Sequence, residues 1–211
     1  MRTDDLIARL VVGAGPASRA MAARRLVPVI ALGFVASAAL AIATMGLVPE
    51  PMWSHQALWT KLGYAAALVG ACAWLAARLA RPAASAVRPL LATGLIVVTM
   101  AAVGVAALVE KESSARAGYL LGASAAHCPW VIVVLSVPAF VGITWALRGL
   151  APTRLRLTGF AAGLLAGAVG AAGYALVCDE VSLTFIALWY SLGIALTGVA
   201  GSLLGGRLLR W

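Results

Sequence analysis

Six apolar runs, each long enough to cross a bilayer, dominate the sequence at residues 26–48, 58–77, 89–109, 127–147, 157–177 and 183–206. About 20 residues of α-helix span the hydrocarbon core of a membrane. Lipid offers backbone N–H and C=O groups no hydrogen-bond partner, so runs of this length must close their own hydrogen bonds as helices. The pattern therefore predicts an all-α membrane protein, a six-helix transmembrane bundle. Residues 1–25 form a leader, 26–206 the membrane domain, and 207–211 a short basic tail. Only 11% of the 211 residues are charged, where a soluble domain carries about 25%. The connections between runs leave no room for a separate soluble domain.

The placement of charge predicts the orientation. Alternate connections receive Arg2, Arg9, Arg19, Arg24 and Arg25; then Arg78, Arg81 and Arg88; then Arg148, Arg154 and Arg156; then Arg207 and Arg210. The other side receives Lys61, Lys111 and Arg116, together with Glu50, Glu110, Glu112, Asp179 and Glu180. Short loops rich in Lys and Arg stay cytoplasmic, so both termini are expected in the cytoplasm. The same placement accounts for the net charge of +9 without direct nucleic-acid binding, because the arginines sit at the ends of apolar runs, where the lipid bilayer and its anionic headgroups are the partners. The Arg24–Arg25 pair before the first run imitates a signal peptide. Cleavage there would leave an odd number of crossings and spoil the charge alternation.

Function classes can be sorted by what the runs lack. Ion-coupled transport and haem ligation need ionisable groups or histidines deep in the bundle. His55 and His127 fall at outer edges, and Lys61 is expected to snorkel from the outer end of the second run. No phosphate loop, nucleophile elbow or HExxH pattern is present, so the chain is not expected to be an enzyme. Gly159 with Gly163, and Gly198 with Gly201, predict close helix packing, and Pro138 lies in mid-run.

Of the three cysteines, Cys72 lies within an apolar run and reads as a buried, inert thiol. Cys128 opens the fourth run and Cys178 closes the fifth. Those runs form an antiparallel hairpin, so the two thiols are expected at one level on the outer face. His127, Asp179 and Glu180 adjoin them, making a candidate thiolate, imidazole and carboxylate ligand set for a divalent metal. A static disulfide, a redox-active or metal-responsive pair, and unpaired thiols without a role all fit this pattern. At the other end of the chain, Thr3 can cap a short amphipathic helix. Asp4 and Asp5 suit its N-terminus, and Leu6, Ile7, Leu10 and Val11 form one apolar stripe. A helix of about ten residues is marginal alone in water and needs a surface to lie on. Its acidic tip favours a partner protein over anionic lipid.

The start Thr3-Asp4-Asp5-Leu6-Ile7, the elements His127-Cys128-Pro129 and Cys178-Asp179-Glu180, and the segments Leu188-Trp189-Tyr190 and Gly205-Gly206-Arg207-Leu208-Leu209-Arg210-Trp211 together resemble the NrsF-type negative regulators of sigma-F. The likeness runs over nearly the whole chain. It implies an anti-sigma factor of the bacterial inner membrane that holds an extracytoplasmic-function sigma factor. The segment carrying Asp4, Asp5, Leu6, Ile7 and Leu10 would bind that sigma factor. The resemblance also implies that Cys128 and Cys178, on the periplasmic side, govern release under metal or oxidative stress. Two other classes fit the six-span layout: a small transporter or channel subunit, and a thiol-based membrane redox protein.

Overall fold

The computed structural model describes residues 21–81, 84–122 and 124–210, together with Thr3 and Asp5, both exposed and helical. The remaining leader positions singled out above, Asp4, Leu6, Ile7 and Leu10, lie outside the described residues. Among the described residues there are six helices long and apolar enough to cross a membrane, and no strands. They are α1 (Met21–Met45), α3 (Gln56–Leu79), α4 (Val87–Val109), α6 (Cys128–Arg148), α7 (Leu155–Ala175) and α8 (Leu183–Leu208). Two short helices, α2 (Glu50–Trp53) and α5 (Arg116–Leu121), lie in connections at the end opposite the arginines. Arg24 and Arg25 lie within helix α1. It ends where Gly46 takes a φ of +77°, a conformation that a side chain would disfavour. The imidazole of His55 caps α3, its Nδ1 accepting from the Ala57 amide at 3.1 Å.

Helix α7 is the centre of the bundle. Every residue from Ala161 to Ala175 is buried, and the helix packs against α8, α6, α3 and α1. Its glycines make this possible because they are distributed over several faces. A Cβ on Gly159 or Gly163 would collide with the α8 backbone at Gly201 and Thr197 respectively. A Cβ on Gly170 would sit 2.9 Å from the Ile132 carbonyl oxygen of α6, and one on Gly173 3.1 Å from the Ala38 amide of α1. Without a hydrophobic drive between helices in lipid, dispersion at such close range is what holds the helices together. The small-residue pairs at Gly159/Gly163 and Gly198/Gly201 thus do lie at a helix–helix contact. Helix α4 stands at the periphery, on α3 and the start of α8, and much of its surface is exposed.

Helix α8 is not uniform. After a first turn capped by the Ser182 hydroxyl, which accepts from the Phe185 amide at 3.2 Å, Ile186–Tyr190 winds as a π-helix. The extra residue in that turn resets the register for the rest of the helix. Pro138 leaves α6 unbroken from Cys128 to Arg148.

Replacing Gly163 with Val should force α7 and α8 apart and destabilise the fold by about 1–3 kcal/mol. The same change at Gly94, which has nothing within 4 Å of a built Cβ, should be close to neutral. Thermal unfolding of both variants in one detergent measures the difference.

Candidate functional site

The end of the bundle opposite the arginine clusters holds a compact group of polar side chains under a cover of loop. Cys128 is the first residue of α6 and Cys178 lies three residues beyond α7. Both are buried with free thiols. They lie within electrostatic reach of each other, and Tyr174 is in hydrogen-bonding range of both. The antiparallel hairpin therefore brings the two cysteines together across fifty residues of sequence, as its geometry requires. Both thiols lie inside the bundle, shielded from its surface.

Tyr174, which the sequence did not single out, completes the pocket together with Tyr190 and Lys61. The Tyr174 and Tyr190 rings meet with centroids 5.7 Å apart. The Tyr190 hydroxyl is fully buried beside Cys178. Tyr64 belongs to a separate cleft with Cys72, where it shares a 2.7 Å hydrogen bond with Ser191. Lys61 corrects an expectation. It does not snorkel outward: it is fully buried, and its Nζ donates to the Cys178 carbonyl oxygen at 2.6 Å. The physical reason is the end of α7, where carbonyls are left without helical donors and the helix dipole is negative. An ammonium satisfies both, and it acts from a residue 117 positions away.

The cover is tied down by hydrogen bonds that cross between loops. The Ser124 amide and hydroxyl both donate to Glu180 Oε1, at 3.2 and 3.3 Å. The Ser182 hydroxyl donates to the Tyr119 carbonyl at 2.8 Å, and the Trp189 indole to the Leu120 carbonyl at 2.8 Å. Helix α5 is thereby fixed to the start of α8. Gly122, with φ of +54°, lets the chain turn close above Glu180 and Phe185. The Val48 amide donates to the Leu176 carbonyl at 3.2 Å, joining the end of α1 to the end of α7.

The candidate ligand set divides. Glu180 joins the cover, while Asp179 is exposed. His127 is exposed and lines a separate cleft with Leu40, Met45 and Trp130. Among the described residues, no three His, Cys, Asp or Glu side chains converge as metal ligands. Cys72 is buried between α3 and α4, within hydrogen-bonding reach of Thr93.

Fold and site together define an all-helical membrane protein with a covered thiol pair at one end. Residues 10–211 match the family described as "Negative regulator of sigma F", NrsF. A probable anti-sigma-F factor NrsF of Azospira oryzae is 38% identical over 218 residues, with each chain covered in full. The anti-sigma-F factor NrsF of Caulobacter vibrioides is 38% identical over 220 residues, again with complete coverage of both. The chain belongs to the NrsF family, whose members are named as regulators and not as enzymes. No solved structure matches it.

If the Glu180 hydrogen bonds hold the cover shut, Glu180→Ala should raise the rate at which a bulky maleimide labels Cys128 by roughly tenfold or more. Two charge-assisted hydrogen bonds of about 1.5–3 kcal/mol each are then lost. An unchanged rate, followed by intact-mass spectrometry, would show that other contacts shield the thiol.

Proposed function

We propose that this protein is a membrane-bound anti-sigma factor. It sequesters an extracytoplasmic-function sigma factor through its N-terminal segment and releases it on a metal or oxidative signal received at Cys128 and Cys178. The observation that carries the anti-sigma reading is family membership over residues 10–211. The full-length likeness to two proteins named as anti-sigma-F factors adds to it.

The finer reading rests on physical arguments. Thirteen of the sixteen Lys and Arg residues fall in alternate connections of the six-span sequence. By the positive-inside rule those connections are cytoplasmic; the likeness to bacterial regulators favours the inner membrane, where the thiol pocket faces the periplasm. Residues 1–9 precede the range matched to the family, although the relatives are covered from end to end. In this reading Asp4, Asp5, Leu6, Ile7 and Leu10 form the sigma-binding face, an amphipathic helix seated in a partner groove.

The pocket suits a signal that changes packing. Joining Cys128 to Cys178 as a disulfide, or bridging them with a metal, would draw the start of α6 toward the end of α7. Lys61 holds that end to α3, so the shift would pass into a third helix. For sigma release the coupling must be worth about 1–3 kcal/mol between the two ends.

A sigma-dependent reporter tests both halves. Deleting residues 1–12 should raise transcription to the level seen without the regulator. Cys128→Ser with Cys178→Ser should leave the protein in the membrane but abolish the response to metal or oxidant. An unchanged reporter in the deletion removes the leader from the mechanism, and a normal response in the double variant removes the cysteines.

A further inference from the structure

At the arginine-rich end, α1 and α6 leave a cleft of about 740 Å³ between them. Arg25 and Arg148 enter it from opposite sides, with Pro28, Val29 and Trp145 forming an apolar wall. The guanidinium of Arg25 lies across Gly149, at the end of α6, where an added Cβ would collide with its Nη1. No acidic residue lines the cleft, and neither arginine has a carboxylate partner among the described residues. Two guanidinium groups lining one cleft repel each other, and an anion bound between them relieves that repulsion.

We propose that this cleft binds the headgroup of an anionic phospholipid, with Arg25 and Arg148 on the phosphate and Trp145 against the glycerol and upper acyl chain. The chemistry fits each element. Arginine presents planar, paired donors to phosphate oxygens. Trp145, 76% exposed, sits one turn from the end of α6, the level at which indole rings favour the membrane interface. Basic pockets between membrane helices recognise acidic headgroups. The chain's own leader is the poorer occupant. Residues 1–20 carry Arg2, Arg9 and Arg19 against Asp4 and Asp5, so the segment is net basic and would add to the repulsion. The site stands whether or not the sigma reading does. It also engages α1 at Arg25, Pro28 and Val29.

The test is native mass spectrometry of the full chain in detergent, titrated with phosphatidylglycerol or phosphatidylcholine. The unaltered protein should retain phosphatidylglycerol in the presence of excess phosphatidylcholine. Arg25→Gln with Arg148→Gln should weaken that retention about tenfold. Arg88→Gln with Arg210→Gln, which removes equal charge from the same end outside the cleft, should leave it within about twofold. Equal binding of the two lipids to the unaltered protein overturns the proposal without recourse to a variant. Equal losses in the two double variants overturn it as well, by reducing the effect to bulk charge.

Discussion

The structure depends on one constraint: α7 is enclosed by neighbours on several sides and is built mostly of Gly and Ala. In water a helix so poor in bulk would contribute little to a core. In lipid, where burying an apolar surface against another apolar surface gains little, close backbone approach is the larger contribution. Gly159 and Gly163 admit α8, Gly170 admits α6, and Gly173 admits α1. Around this axis the bulkier residues, Leu58, Leu68, Ile132, Ile143 and Leu147, fill what remains. Moving α7 therefore moves several interfaces at once, since none has slack at backbone contact.

The polar pocket lies at the end of that axis. Cys178 lies three residues past α7, Cys128 begins α6, Lys61 reaches in from α3, and Tyr190 closes the π-turn of α8. Four spans thus contribute to one buried group. A covalent or metal-mediated change there acts on the tightest part of the bundle, and that is the physical basis for reading the pocket as a sensor. The arginine-rich end, by contrast, presents open clefts and charge, suited to surfaces rather than to small buried chemistry.

Much of the fold is legible in the sequence because lipid imposes lengths. The six spans follow from the apolar runs, and the meeting of Cys128 with Cys178 follows from hairpin geometry. The small-residue pairs likewise mark the α7–α8 contact. What is not legible depends on direction and distance. Nothing near Lys61 indicates that its ammonium turns to a carbonyl 117 residues away. His127 and Asp179 adjoin the cysteines in sequence, yet His127 at the cap of α6 and Asp179 in the connection after α7 are both exposed. Adjacency therefore did not bring them into the pocket. Tyr174 was the discoverable member: it precedes Cys178 by four residues, the spacing that places two side chains on one helical face. The π-turn that sets Tyr190 has no local signature in Ile186–Tyr190.

The central claim is that the thiol pocket and the leader are two ends of one equilibrium, and linkage makes that claim symmetrical. Whatever factor thiol oxidation removes from sigma affinity, bound sigma must remove from the tendency of Cys128 and Cys178 to form a disulfide. The decisive measurement is the equilibrium fraction of that disulfide in a glutathione redox buffer, with the full chain in lipid nanodiscs, with and without the purified sigma factor. The account predicts a shift of the disulfide equilibrium constant toward the reduced form of about 5- to 150-fold when sigma is bound. The same equilibrium constant with and without sigma would contradict it.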